Sequence, residues 1–134
     1  METKPIIGAI VDDMFFAAKI RAAAEQAGKA METIKSIEQL DSFLAANSTA
    51  SLVVDLNSTR VDPLLAIQHV RSRADWNAVV LVSFVSHVQT DLIRQAQRAG
   101  SNYVLPRSAF TRFLPAIAAG EFEQLDASSS GMLQ

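Results

Sequence analysis

The 134-residue sequence contains no cysteine, which excludes disulfide bonds, thiolate metal sites and cysteine nucleophiles. It has no basic excess either: 12 Lys and Arg stand against 14 Asp and Glu, giving a formal net charge of -2. A nucleic-acid partner or an anionic membrane surface is therefore not expected. No apolar run approaches the roughly 18 residues of a membrane span, and the first acidic pair comes too early for a signal peptide. We expect a soluble, cytoplasmic chain.

The length of the chain fits a single domain. Hydrophobic residues make up 49% of it and charged residues 19%, a balance that allows a packed core. After Gly120 the sequence has few core-forming residues and a run of serines. We therefore expect a domain over residues 1–120 and a flexible C-terminal tail over residues 121–134.

Short apolar runs alternate with longer amphipathic segments, and this alternation repeats five times along the chain. The first, third and fourth runs are continuous and rich in Val, Ile and Leu, which is typical of parallel strands covered on both faces. The predicted strands cover residues 6–11, 30–34, 52–56, 79–84 and 103–105.

The segments between these runs have helical spacing and recognisable end signals. Pro115 predicts a short turn over residues 108–111 in the last segment, followed by a helix that holds the proline in its early part. The predicted helices are residues 14–27, a helix opened by a Ser36 and Gln39 capping box, a helix opened by Asp62 and Pro63, residues 88–99 before Gly100, and a last helix within 108–119.

Five strand and helix units in this order predict an α/β fold with right-handed crossovers and a doubly wound parallel sheet. With about 25 residues per unit, the flavodoxin-like (βα)5 arrangement with strand order 2-1-3-4-5 is the economical choice. In such a sheet, ligands bind outside the carboxyl ends of the strands.

Polar side chains follow the carboxyl ends of the predicted strands, and they should meet at one edge of the sheet. Three of them are carboxylates, and two carboxylates about 4 Å apart repel by roughly 4 kcal/mol at an effective dielectric near 20. A divalent cation would relieve this repulsion, and oxygen ligands favour Mg²⁺. A carboxylate in such a place can also attack phosphorus and form an aspartyl-phosphate. These residues are Asp12, Asp13, Asp55, Asn57, Ser83 and Arg107.

Together these residues resemble the receiver domain of two-component response regulators, over about residues 5–119. The acidic pair of that family matches Asp12 and Asp13, and its phosphoacceptor matches Asp55 in LVVDLN. The resemblance implies Mg²⁺ held by Asp13, Asp55 and the carbonyl of Asn57, with Asp12 contributing through a water molecule. It also implies that Ser83 in VLVSF is the switch hydroxyl.

The sequence departs from the receiver pattern at three places. Arg107 stands where receivers usually have lysine, and Pro106 precedes it instead of a proline following. Phe84 follows the switch position, where a small residue is usual, and is expected to crowd the acceptor. The usual proline and glycine loop after the acceptor is replaced by residues 58–61.

These residues are compatible with three functions. In the first, a sensor histidine kinase or phosphotransfer protein passes a phosphoryl group to Asp55, and Ser83 and Arg107 read the charge and switch a surface for a downstream protein target. The second is a non-phosphorylated receiver-like adaptor. The third, a haloacid-dehalogenase-like phosphohydrolase, is disfavoured because Asn57 replaces its acid/base aspartate. The first is the leading hypothesis; it makes the chain a phosphoacceptor rather than an enzyme and is compatible with a homodimer.

Overall fold

A computed structural model describes residues 5–48, 50–86 and 89–125. Its centre is a five-stranded parallel sheet in the order β2-β1-β3-β4-β5, so the predicted flavodoxin-like α/β fold is confirmed. The strands are β1 (Ile6–Ile10), β2 (Ala30–Thr33), β3 (Ser51–Asp55), β4 (Val80–Val85) and β5 (Tyr103–Pro106).

Five helices cover the two faces of the sheet, because its strands are apolar on both sides. On one face, α1 and α5 bury Phe16 and Phe110 against β4. On the other face, Phe43, Ile67 and Ile93 come from the remaining three helices. The helices are α1 (Met14–Gln26), α2 (Ile37–Ala46), α3 (Pro63–Arg71), α4 (Thr90–Ala99) and α5 (Arg107–Ala119).

The helix starts that the sequence predicted are confirmed for α2 and α3. The Ser36 hydroxyl accepts a hydrogen bond from the Gln39 amide at 3.0 Å, and the Asp62 carboxylate accepts one from the Leu65 amide at 3.1 Å. Pro63 occupies the first turn of α3, where its missing N–H is not needed.

The prediction for the last helix was wrong. Instead of a turn over residues 108–111, α5 begins at Arg107, directly after β5, and Pro115 lies well inside it. The side chain of Pro115 is exposed, so the break in the hydrogen-bond ladder faces solvent rather than the core. In α4 the described start is Thr90, and Val88, part of the predicted helix, lies outside the described residues.

Packing continues past the domain boundary expected at residue 120. A short 3-10 helix, Phe122–Leu125, follows α5 and places Leu125 fully inside the core. Phe122 stacks on Tyr103 with 6.0 Å between ring centroids. The expectation of a flexible tail is thus corrected for residues 121–125, while residues 126–134 lie outside the described part of the chain. None of the described helices is long and apolar enough to cross a membrane.

Candidate functional site

The carboxyl edge of the sheet gathers the acidic residues that the sequence singled out. Asp12 and Asp13 follow β1, Asp55 is the last residue of β3, and Arg107 opens α5. Side chains alternate along β3, so Val53 and Asp55 face the α1 and α5 layer while Val54 faces the opposite layer. The site therefore lies on the α1 and α5 side of this edge.

Asp55 is half-buried, and one of its oxygens has a partner. The backbone amide of Asn57 donates to Oδ1 at 2.9 Å, and no described residue donates to Oδ2. Burial raises the pKa of the Asp55 carboxyl, and the negative charges of Asp12 and Asp13 raise it further. The Asn57 amide and the Arg107 guanidinium oppose this rise in the pKa without cancelling it.

Asp12 is held by the segment that joins β3 to α3. Its Oδ1 accepts from the Ser58 hydroxyl at 2.7 Å, and its Oδ2 accepts from the Thr59 amide at 2.7 Å and the Thr59 hydroxyl at 3.2 Å. Burial by itself would raise the pKa of Asp12, but these donors outweigh it and hold the pKa below its ordinary value. Neither Ser58 nor Thr59 was predicted to be part of the site.

Asp13 caps the N-terminus of α1. Its Oδ1 accepts from the amides of Phe15 at 2.8 Å and Phe16 at 3.2 Å. The amide of Phe16 contributes most to lowering the pKa of Asp13; desolvation opposes it, and the amide of Phe15 and Arg107 add to the lowering. Nη2 of Arg107 donates a long hydrogen bond to Oδ2 of Asp13 at 3.4 Å.

Arg107 thus reaches the acidic edge that the sequence assigned to it. Its guanidinium lies over the ring of Phe16, 4.1 Å from the centroid, besides pairing with Asp13. The pair is partly exposed, so solvent screens much of its attraction.

Asn57 joins two loops through its side chain. Its Oδ1 accepts from the amide of Ser86 at 2.9 Å and the hydroxyl of Ser86 at 3.1 Å, and its Nδ2 donates to Oε1 of Gln89 at 2.9 Å. The segment after β3 is therefore tied to the segment after β4. Neither Ser86 nor Gln89 was predicted, because each lies about 30 residues from Asn57 and carries no local signal.

Ser83 does not lie at the site, and its predicted role as the switch hydroxyl is not supported by the structure. In the register of β3 and β4, Ser83 pairs with Val54 and Phe84 pairs with Asp55. Ser83 consequently faces away from Asp55. Its hydroxyl is fully buried and hydrogen-bonded to the hydroxyl of Ser101 at 2.8 Å.

Phe84 is the strand neighbour that shares the face of Asp55. Its ring is 1% exposed and lies 4.5 Å from that of Phe110 and 5.1 Å from that of Phe16, measured between centroids. The place next to Asp55 on β4 is therefore filled by an aromatic cluster rather than by a hydroxyl. Because it is buried, Phe84 does not form part of a partner surface.

The predicted Mg²⁺ ligands do not form a metal site in this arrangement. Within residues 5–48, 50–86 and 89–125, no group of three or more His, Asp or Glu side chains is placed to hold one ion. Both oxygens of Asp12 accept hydrogen bonds from the loop after β3, and Asp13 serves the helix cap and Arg107. The donor chemistry suits Mg²⁺, but the oxygens of Asp12 and Asp13 are engaged by the protein itself, which leaves Oδ2 of Asp55 as the carboxylate oxygen without a described donor.

Comparison with solved structures identifies the architecture. A response regulator from Thermotoga maritima matches with a TM-score of 0.69 at 16% identity, covering 94% of this chain and 100% of that one. A signal receiver domain from Colwellia psychrerythraea matches with a TM-score of 0.72 at 14% identity, covering 90% and 98%. This chain has the receiver fold.

A third match in the receiver fold is a response regulator from Burkholderia pseudomallei whose structure contains a phosphorylated aspartic acid, a calcium ion and citrate. Its TM-score is 0.71 at 17% identity, over 92% of this chain and 73% of that one. No protein-family model matches the sequence, and no curated protein matches it significantly. Every predicted site residue except Ser83 lies at the carboxyl edge of this receiver fold.

Proposed function

We propose that this chain is a receiver-type signalling module that acts by binding another protein, and that contacts among its own residues set its state instead of a phosphoryl group. The observation that carries the proposal is the position of Phe84 beside Asp55. The proposal assigns no catalytic turnover to the chain.

No hydroxyl of β4 faces Asp55, and the Ser86 hydroxyl just beyond β4 is bound to Oδ1 of Asn57 at 3.1 Å. In the receiver pattern, a Ser or Thr on the fourth strand bonds the phosphoryl oxygens, and the phenyl ring of Phe84 cannot do so. Ser83 cannot take over, because a neighbouring residue on a strand faces the opposite side. Moving the ring of Phe84 aside would leave a cavity between Phe16 and Phe110, at a cost of about 3 to 5 kcal/mol by analogy with Phe truncation.

The loops at the carboxyl edge are already held by side chains of the protein. Asp12 already holds the segment after β3, and Asn57 already links that segment to Ser86. A phosphoryl group usually orders such loops by supplying new acceptor oxygens. Here the carboxylate and amide oxygens of the protein fill that role, which favours a constant docking surface.

Asp55 itself favours a second candidate, the phosphoacceptor of the leading sequence hypothesis. Its Oδ2 accepts no hydrogen bond from a described residue, and the charge of Arg107 acts on it. In that function Oδ2 attacks the phosphorus of a phosphohistidine on a histidine kinase or phosphotransfer protein. The P–N bond breaks, the imidazole leaves with the electron pair and takes up a proton, and Arg107 pairs with the transferred phosphoryl oxygens.

Labelling with acetyl phosphate separates the two candidates. The full chain is incubated with and without Mg²⁺ and its intact mass is measured, with the chemotaxis response regulator CheY4 of Vibrio cholerae as a comparison receiver. We expect no phosphoryl adduct on the wild type or on Asp55→Asn. A Mg²⁺-dependent adduct on the wild type that is lost in Asp55→Asn would overturn the adaptor proposal and establish the second candidate.

Two further variants test whether the ring of Phe84 is the cause. Phe84→Ser places a hydroxyl next to Asp55, and Phe110→Ala opens the same aromatic cluster from α5 without facing Asp55. We expect labelling to appear in Phe84→Ser and to stay absent in Phe110→Ala, with circular dichroism confirming that both are folded. Labelling in neither variant would contradict the role given to Phe84.

A further inference from the structure

A separate cavity of about 270 Å³ opens beside the N-terminal half of α1, between the ends of β1 and β2 and the segment after β3. Unlike the acidic edge around Asp55, its lining carries more positive than negative charge. Its lining includes Asp12, Met14, Arg21, Thr33, Lys35 and Arg60.

Three cations line this cavity, and each comes from a different part of the fold. Arg21 lies on α1, Lys35 lies between β2 and α2, and Arg60 lies between β3 and α3. Among the described residues, none of the three forms an ion pair; the ion pairs there are made by His69, Arg73 and Arg107. Three cations that form no ion pair with a described residue thus line one cavity, which favours an anion as its ligand in a chain whose net charge is negative.

Asp12 also lines the cavity, but its oxygens are already engaged. Both accept hydrogen bonds from Ser58 and Thr59, the backbone of Arg60 also donates to Asp12, and no ion pair among the described residues joins Asp12 to a cation of the cavity. The positive charge therefore exceeds the negative charge of this one carboxylate.

The backbones that carry two of the cations are fixed. Arg60 lies between Thr59, whose amide is bound by Asp12, and Val61, which is 3% exposed. The amide of Lys35 donates to Oε1 of Gln39 at 2.8 Å. Arg21 shares one face of α1 with Met14 and Ala17, which give the cavity an apolar side. The backbone is therefore held at two of the three positions, which lowers part of the entropic cost of binding.

We propose that this cavity binds a small organic phosphate, with the phosphate held by Arg21, Lys35 and Arg60 and the organic part lying against Met14 and Ala17. A phosphate monoester is dianionic and offers several acceptor oxygens, which suits one lysine and two guanidinium groups. The volume lies just below the roughly 300 Å³ at which pockets for drug-sized ligands begin, so it fits a small ligand rather than a dinucleotide. This binding is independent of the chemistry proposed for Asp55.

Calorimetric titration of the full chain with ribose 5-phosphate and AMP, at physiological salt, tests the proposal. We expect a dissociation constant of about 1 mM or tighter for at least one of them, and no binding of ribose or adenosine. Arg21→Gln, Lys35→Gln and Arg60→Gln should each weaken binding by about tenfold or more, since each removes charge-assisted hydrogen bonds. Lys19→Gln is the matched control, because Lys19 is exposed on α1 and outside the cavity.

Asp55→Asn should retain this binding, which distinguishes the cavity from the acidic edge. Equal weakening by Lys19→Gln and Arg21→Gln would reduce the effect to overall charge and overturn the proposal. So would binding of a phosphoserine peptide without binding of either small phosphate, because the ligand would then be a protein segment.

Discussion

Ser83 and Phe84 differ by one position on β4, and that single step decides what faces Asp55. The hydroxyl of Ser101 accepts from or donates to Ser83 and also contacts the carbonyl oxygen of Tyr103 at 2.9 Å. Ser83 therefore belongs to a buried polar pair on the face of the sheet opposite to the one that Asp55 shares with Phe84.

Ser83→Ala tests this placement. Removing its hydroxyl deletes one buried hydrogen bond, so unfolding free energy should fall by about 1 kcal/mol. Ser101→Ala should cost more, because it also leaves carbonyl groups of Leu81 and Tyr103 without this partner. Urea denaturation measures both, and full wild-type stability in Ser83→Ala would contradict the pair.

Asp12 and Asp55 should respond oppositely to neutralisation, because their pKa values shift in opposite directions. The raised pKa of Asp55 means that the folded state binds the proton more tightly than the unfolded state. The contribution of Asp55 to the free energy of unfolding is therefore favourable at low pH and is lost as the pH rises through the pKa of Asp55 in the folded state. Asp55→Asn should therefore be more stable than the wild type at pH 7, and the gap should close on acidification towards about pH 4.

The lowered pKa of Asp12 has the reverse consequence. Its stabilisation is present above the ordinary carboxyl pKa and is lost as pH falls through the folded value. Asp12→Asn should be less stable than the wild type at pH 7, by about 1 kcal/mol, because an amide loses charge-assisted bonds from Ser58 and Thr59. Thermal denaturation from pH 7 down to pH 3 measures both variants, and shifts of the same sign at pH 7 would contradict this account.

At the scale of elements, the sequence predicts what local chemistry specifies. The caps at Ser36 and Asp62 are found as expected, because each capping side chain and the amide that it binds lie only three residues apart in the sequence. The facing of β4 was not predictable in the same way, since a strand buried on both faces shows no alternation of polarity. The prediction of α5 was wrong because proline was expected to break a helix. Pro115 lies on the exposed face of α5, where the carbonyl group left without a backbone partner can be hydrated.

The turn between α4 and β5 has a feature that can be tested at this scale. Gly100 has a φ of 115°, and a Cβ placed there would lie 2.5 Å from Cγ of Arg71. Arg71 donates to the carbonyl oxygens of Gly100 and Val79, both at 2.9 Å, and to Oδ1 of Asn102 at 2.7 Å. One side chain thus ties the end of α3 to the start of β4 and to this turn.

Gly100→Ala should destabilise the fold more than Gly28→Ala. Both place alanine at a positive φ, which costs about 1 to 2 kcal/mol, but a Cβ at Gly28 would meet nothing within 4 Å. The displacement of Arg71 should make the Gly100 variant worse by about 1 kcal/mol or more. Equal losses in chemical denaturation would show that Arg71 moves aside freely.

For the molecule as a whole, the sheet topology was predictable from the sequence. The hydrogen bonds between loops and the packing of Leu125 in the core were not. Five alternating units determine a doubly wound sheet, and the polar residues at its strand ends fall at one edge for that reason. The bonds of Asp12 to Ser58 and of Asn57 to Ser86 depend on loop paths that no local pattern encodes. The packing of Leu125 was missed because one apolar residue in a polar segment gives no periodic signal.

Leu125→Ala tests where the folded unit ends. Leu125 is fully buried, so truncating it should lower the unfolding free energy by about 2 to 5 kcal/mol. Glu123→Ala, an exposed position in the same 3-10 helix, is the control and should change stability by less than about 0.5 kcal/mol. Wild-type stability in Leu125→Ala would show that Leu125 does not contribute to the core and that the folded domain ends at residue 120.

The most direct test of the central claim is the response of the whole molecule to a phosphoryl mimic. We expect that beryllofluoride with Mg²⁺ leaves the ¹H–¹⁵N NMR spectrum of this chain unchanged along β4, α4 and β5. Saturable shifts across those elements that disappear in Asp55→Asn would contradict the claim that internal contacts stand in for a phosphoryl group.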